Sequence, residues 1–369
     1  MINPRNIPQI QPWIDCQEWL EVKRVMESTY LTENRATSEF EKGIVELTNA
    51  KHAIAVSNGT VALYCILRAI DIGPGDEVIV PDITFVATSN AVIMTGAKPV
   101  FATIQKENLD FNYSKLSNFV TNNTKAIMPV HLYGRSANIE KLHIFARKHS
   151  LMIVEDAAQA IGVKFDNQHV GGFGVAGAFS FYGNKTITCG EGGVVITNND
   201  KIAERCRRLK NHGRSHRGTF VHDEIGFNFS ITEMQSAIGI AQLRKLPAII
   251  ERKREIYDTY KSSLLGIPSL KMLPINPRCS PVHWFTSYYS ANREELAQHL
   301  ASHGIQTRLF FCPLHMQPCY FGWSDEKVDY SESKAAYSEG ISLPSSYGLS
   351  DDDLNFIIEK ILSFYSPSN

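Results

Sequence analysis

Residues 180–193 read SFYGNKTITCGEGG. A single lysine, Lys185, stands between a serine–aromatic lead-in and a glycine-rich exit. The runs AFSFY (178–182) and GGVVITN (192–198) overlap its two ends, and both have strand length and composition. The lysine therefore belongs to a strand–loop–strand connection whose neighbours are mostly small, apolar and uncharged. A solvated lysine face looks different. Desolvation lowers the pKa of an amine and frees the neutral nucleophile. Gly190, Gly192 and Gly193 allow the backbone to turn tightly beside it.

Upstream, from about residue 50 to 200, short apolar runs alternate with helical stretches. The runs are HAIAVS (52–57), DEVIVP (76–81), KPVFAT (98–103), KAIMPVH (125–131) and LMIVED (151–156). They are rich in Val and Ile and lack polar alternation, which fits strands covered on both faces. Strands alternating with helices imply right-handed crossovers and a mainly parallel sheet with helices on both sides, an α/β fold. Downstream, DKIAERCRRLKNHG (200–213) predicts an amphipathic helix stopped at His212–Gly213. A polar loop (213–230) precedes a helical pattern from about Ile231 to Leu264, in which Pro247 is expected to break or kink the helix. From about residue 265 the chain carries strand-like SYYSAN (287–292) and helical REELAQHLASHG (293–304), and it ends in helical DDDLNFIIEKILSFY (351–365). The expectation is a large domain over residues 1–245, including the N-terminal segment, and a smaller C-terminal α+β domain over 246–369.

Composition bounds the function. With 43% hydrophobic and 20% charged residues, the chain falls among ordinary soluble globular proteins. A net charge of -1 favours neither nucleic acid nor a membrane surface, so an anionic ligand must be held locally. No run approaches the roughly 20 apolar residues of a membrane span. The start MINPRNIPQIQPW has no signal-peptide core. Seven cysteines without a CxxC pair argue for reduced thiols and a cytoplasmic protein. The 12 histidines show no metal-binding spacing.

In open α/β sheets, functional loops gather at the carboxyl ends of the strands. After HAIAVS come Gly59, which lets the backbone approach closely, and Thr60, which opens a helix. Free helix N–H groups beside a hydroxyl form a phosphate cradle; alone, a plain threonine cap is the commoner reading. After DEVIVP comes Phe85, a stacking surface for a flat ligand or a core aromatic. After LMIVED come Asp156 and, three residues on, Gln159. An acid at that place is either a helix cap or part of a site. Ser180 adds a second hydroxyl ahead of Lys185. Phosphate cradle, aromatic face, acid and desolvated lysine, each after a strand, fit one cofactor, pyridoxal 5′-phosphate. Lysine holds it as a Schiff base, and the acid keeps its pyridine nitrogen protonated.

The motifs SNGTVAL, GDEVIVP, TKAIMPVHLYG, VEDAAQA, SFYGNKTITCGEGG and GFNFSITEMQSAIGIAQL, in this order and spacing, resemble the DegT/DnrJ/EryC1/StrS family of sugar aminotransferases nearly end to end. The resemblance implies the aspartate aminotransferase-like (type I) fold. YGNKTIT (182–188) looks most like the GDP-perosamine synthase branch, which aminates GDP-4-keto-6-deoxymannose with L-glutamate, for surface polysaccharide or O-antigen. Carried over by position, the resemblance makes Lys185 the Schiff-base lysine and proton shuttle. It sets Asp156 on the pyridinium, Gln159 on the ring hydroxyl, and Phe85 and Ala158 on the two ring faces. Gly59, Thr60 and Ser180 hold the phosphate. Asn228 reaches the phosphate of a neighbouring subunit, which implies a homodimer with shared sites. Arg214, His216, Arg217 and Arg308 are candidates for the nucleotide diphosphate, with solvated surface charge as the alternative for the loop group. His315 matches a position near the active site or is a structural loop histidine. Four positions depart from the family wording. Ser230 replaces a basic residue, Cys189 a threonine, and Glu339 an arginine, while NRATSEFE (34–41) lacks a glycine. Ser230 and Glu339 bear on which substrate is used. Relatives with histidine in place of the lysine are sugar 3-dehydratases, a route that Lys185 excludes. Amination of a dTDP- or UDP-linked keto sugar or of a nucleotide-free keto sugar acid, and a non-catalytic regulator of the same fold, are the competing expectations.

Overall fold

The computed structural model describes residues 5–214 and 220–366. Its central sheet has seven strands. These are β1 (His52–Val56), β2 (Glu77–Pro81), β3 (Lys98–Ala102), β4 (Thr124–Ile127), β5 (Met152–Asp156), β6 (Ala176–Ser180) and β7 (Gly193–Thr197). Their order across the sheet is β1-β7-β6-β5-β4-β2-β3. From β3 to β6 every pairing is parallel; β7 runs antiparallel to both β6 and β1. Successive strand residues face opposite sides. Val78, Val80, Ala126 and Val154 enter one apolar cluster, and Ile79, Ile127 and Ile153 enter the other. Burial on both faces is what the uninterrupted Val/Ile runs require.

The helix Gly59–Ala69 is apolar nearly all round and is packed inside the first of these clusters, with Val78 and Val80. The amphipathic helix Asp200–Lys210 is followed by positive φ at His212 and Gly213, a left-handed exit. The long helix Glu233–Ser263 spans 31 residues behind a capping box made by Thr232 and Gln235. It continues through Pro247, so the expected break does not occur. Proline removes one backbone donor, a local cost of about 3 kcal/mol. The flanks hold the helix together. Leu246 and Ile249 are buried. Lys245, just before the proline, pairs with Asp15 at 2.9 Å and Glu18 at 2.8 Å. Helices Cys16–Ser28 and Arg35–Thr48 lie along its first half.

A second, all-antiparallel sheet takes its strands in the order Leu270–Met272, Thr286–Ser290, Gly340–Leu343, Arg308–Leu309. Helices Arg293–Ser302 and Asp351–Tyr365 cover it. Ile7, near the chain start, donates its amide to Gly304 and packs in the apolar cluster of this layer. Among the described residues no helix is long and apolar enough to cross a membrane.

Candidate functional site

The carboxyl ends of β1, β5 and β6 and the loop after β2 line a cavity of about 700 Å³. Its wall includes Gly59, Thr60, Phe85, Asp156, Ala158, Gln159, Ser180, Lys185 and Arg308. One volume thus gathers all the expected cofactor residues except Asn228.

At β1, the Asn58 side chain caps the helix by accepting the Val61 amide at 3.0 Å. The cap is therefore Asn58, and the Thr60 hydroxyl stays available at the cavity wall. The first helical amides have no intrahelical acceptor. Gly59 passes close to β6: a Cβ there would lie 2.8 Å from the Ser180 Cβ, so the glycine sets the spacing between the two hydroxyls. Unspent amides, two hydroxyls and a helix N-terminus suit a phosphate.

At β5, Asp156 is only 4% exposed. One carboxylate oxygen accepts the Thr88 hydroxyl at 2.7 Å, and the other accepts the Ala158 amide at 3.1 Å. Thr88 is itself hydrogen-bonded to Thr84 at 2.8 Å. Burial pushes the Asp156 carboxyl above its ordinary range, against the pull of the Thr88 bond. It has no ion-pair partner within 4 Å among the described residues, so a cationic ring nitrogen would meet an unspent charge. Behind it, Glu155 and His131 form a fully buried pair at 2.9 Å. The other His131 nitrogen accepts the Ala137 amide at 3.1 Å, which leaves the proton on the nitrogen facing Glu155. Burial alone would raise Glu155; the His131 bond and the amides of Gly171 and Gly174 more than offset it and keep the carboxyl low. Gln159 accepts the Tyr133 amide at 2.9 Å through its carbonyl oxygen, so its NH₂ is what remains for a ligand.

Phe85 is 52% exposed, and its ring meets Phe311 at 5.8 Å. An apolar ring left open on a cavity has a face to offer. Lys185 rises from the β6–β7 connection. Its backbone amide bonds the Tyr182 carbonyl at 2.9 Å, and its amine lies 4.5 Å from the Trp284 ring centroid. Burial lowers the amine to about 8; Asp156 works against this, and Arg308 adds to it.

The substrate candidates separate. Arg308 lines the cavity, its guanidinium 5.5–5.7 Å from the rings of Trp284, Phe285 and Phe311. It has no ion pair among the described residues. Arg214 lies over Phe220 at 5.3 Å and is not in the cavity wall. His216 and Arg217 lie outside the described residues. His315 is not in the wall either: Asp82 accepts from its ring at 2.8 Å and Tyr330 stacks on it at 4.2 Å, while its other ring nitrogen is buried without a partner among the described residues. Glu339 pairs with Lys106 at 2.6 Å, away from the cavity. Ser230 touches the Lys210 carbonyl at 3.5 Å. Asn228 is exposed and bridges to Asn211, outside the cavity of its own chain. Sequence reasoning missed Trp284, Phe311, Tyr182, Asn184 and the Thr88 contact. Only Thr88 left a signal, one helical turn beyond Thr84 in the loop after β2.

Comparison with known proteins follows this geometry. A family model described as the DegT/DnrJ/EryC1/StrS aminotransferase family matches residues 12–362. The chain is 38% identical over 364 residues to a GDP-perosamine synthase of Escherichia coli O157:H7, covering 98% of this chain and 99% of that protein. The structure of S. venezuelae DesV in complex with a ketimine intermediate superposes with a TM-score of 0.93 at 31% identity, over 100% of both chains. The PLP form of a putative sugar aminotransferase of Streptococcus pneumoniae, Spr1654, gives a TM-score of 0.92 at 25% identity, over 98% of this chain and 99% of that chain.

Proposed function

This chain belongs to the DegT/DnrJ/EryC1/StrS aminotransferase family, and from that premise we propose that it moves an amino group from L-glutamate to GDP-4-keto-6-deoxymannose, giving GDP-perosamine. The class of activity is that of the family, transamination of a keto sugar with pyridoxal 5′-phosphate. An amino donor and a keto sugar acceptor follow from it. Support for the particular sugar is the near full-length likeness to GDP-perosamine synthases.

The observation that carries the site is the sharing of one cavity by the Lys185 amine, the buried Asp156 and the helix start formed by Gly59 and Thr60 beside Ser180. When bound, pyridoxal phosphate supplies the electron sink for loss of the donor's α-proton. The protein supplies the rest. Lys185 would be the covalent anchor and, once displaced, the base that takes the donor's α-proton and passes it to the cofactor carbon that receives the amine; in the second half-reaction it would take a proton back from that carbon and deliver one to the sugar carbon. In the cofactor-free protein burial already lowers the amine to about 8, which eases its deprotonation. Asp156 holds the pyridinium charge, with Thr88 fixing the carboxylate plane. Gln159 donates to the ring oxygen, and Phe85 and Ala158 enclose the two faces. Arg308, at the cavity wall and without an ion pair among the described residues, meets the diphosphate. Asn228 completes the phosphate site of a partner subunit, which makes the working unit a homodimer.

The test loads the protein with the amino form of the cofactor and follows single turnovers with GDP-, dTDP- and UDP-linked 4-keto-6-deoxy sugars and a nucleotide-free keto sugar acid. GDP-4-keto-6-deoxymannose should react fastest. A faster reaction with any other sugar overturns the substrate assignment. L-Glutamate should regenerate the amino form better than L-alanine, L-aspartate or L-glutamine.

A further inference from the structure

Trp284 enters the Lys185 cavity from the second sheet, two residues ahead of the strand Thr286–Ser290, and is 1% exposed. Three contacts fix it. Its indole N–H donates to the Asn184 carbonyl at 2.7 Å, the residue next to the lysine. Its own carbonyl accepts the buried amine of Lys253 at 3.2 Å, and that amine also grips the Ser345 carbonyl at 2.6 Å. Its side chain packs on Phe285 at 4.3 Å and faces Tyr133 at 6.4 Å. A tryptophan held at the ring, the edge and the backbone cannot swing away, so the 4.5 Å approach of the Lys185 amine to its face is a fixed place in the cavity.

We propose that Trp284 is the positioning residue for the free amine of Lys185: its indole face receives the ammonium, and its N–H ties down the loop that carries the lysine. A lysine that acts as anchor in one half of the reaction and as proton carrier in the other must have a defined place when it is unattached. The ring face supplies one without a counter-ion that would hold the proton too tightly, because a cation–π contact is weaker than a salt bridge of equal burial. The other titratable groups in the wall are Asp156, Tyr182, Glu191 and Arg308. Asp156 favours the charged amine, while burial and Arg308 oppose it; a ring face 4.5 Å from the amine adds a contact on the side of the ammonium.

The inference rests on the assignment of Lys185 as anchor, and the two fail in different experiments. Full turnover in Lys185→Ala removes the assignment. The role of Trp284 is read in the cofactor-free protein, from the pH dependence of Lys185 acylation by acetic anhydride, located by peptide mass spectrometry. Trp284→Leu should lower the titration midpoint of Lys185 by roughly half a unit to one unit. Trp284→Phe, which keeps a ring face, should stay closer to the native midpoint. Where the leucine variant does not fold, fluorinated tryptophan keeps the shape and weakens the face. It should lower the midpoint in the native sequence and leave it unchanged in Trp284→Phe. An unmoved or raised midpoint in folded Trp284→Leu, or no response to fluorination, overturns the proposal.

Discussion

Two lysines of this protein are buried amines with lowered pKa values, Lys185 at about 8 and Lys253 at about 7, and only one sits in a cavity. Lys253 is 3% exposed, lies on the long helix and spends its N–H groups on the Trp284 and Ser345 carbonyls. Burial alone lowers it. Lys185 faces a space of about 700 Å³ and a carboxylate, with no backbone carbonyl bonded to its amine. The contrast separates two properties often treated as one. Ease of deprotonation follows from desolvation, and both have it. Availability follows from an open approach and unspent lone-pair geometry, and only Lys185 has it. A lowered pKa therefore does not by itself separate the structural lysine from the one in the cavity.

The largest expected effect divides the pair outright. Lys185→Ala should reduce sugar amination by about 10³-fold or more in a steady-state assay. Lys253→Met should leave turnover within about tenfold, since it removes no group from the cavity wall. Equal losses in both would erase the distinction.

Next comes stability. Lys253→Ala strands two carbonyls and opens a void, a loss of about 3 kcal/mol by urea unfolding. Lys253→Met, which fills the space without a charge, should lose less. The folded protein binds the Lys253 proton less well than the unfolded chain does. Native stability should therefore rise with pH between about 7 and the ordinary lysine value of 10.5. Lys185 adds a rise of the same sign from about 8 in the cofactor-free protein. In Lys253→Met the rise should start only there. A native protein whose stability is flat across this window would show that Lys253 is not desolvated.

A smaller effect sharpens the cavity side. Thr88→Val removes the hydroxyl that holds the Asp156 carboxylate, so the carboxyl rises further. Turnover should fall by about tenfold, and the deficit should grow toward acid pH, where the less well held carboxylate takes a proton first. A deficit independent of pH would assign Thr88 a packing role only. The smallest effect is Asn58→Ala, about 1 kcal/mol from loss of the helix cap, seen as a lower unfolding midpoint. Thr60, which is not the cap, should show no such loss on substitution by alanine.

The strands were legible because burial on both faces leaves no choice of residue: Val78, Val80 and Ile79 must all be apolar. Lys185, Asp156, Gly59 and Ser180 were legible because each ends or follows a strand, and strand ends converge in this topology. What failed depended on distance or on competing partners. Nothing local marks Trp284, whose contact with Asn184 joins residues 100 apart. Residue type pointed equally to Arg308 and His315; the structure separates them, because Asp82 and Tyr330 hold the histidine away from the cavity wall. Thr60 was weighed as a cap because the type fits, but Asn58 stands two residues earlier and takes the amide first. Pro247 predicts a broken helix from its own chemistry, and the burial of Leu246 and Ile249 outweighs it.

The place of β1 at the edge of the sheet governs how the protein comes off the ribosome. It is the first strand made, yet its sole strand neighbour is β7, about 140 residues later. Gly193, which opens β7, is packed so close to the Asn58 carbonyl that a Cβ would lie 2.3 Å from that oxygen, so β7 braces the turn that leads into Gly59 and Thr60. Until β7 emerges, the nascent chain carries an unpaired Val/Ile strand and an unbraced turn. Closing so long a loop is slow, and an unpaired strand edge is open to aggregation meanwhile. Cofactor capture must therefore wait for the last strand of the sheet.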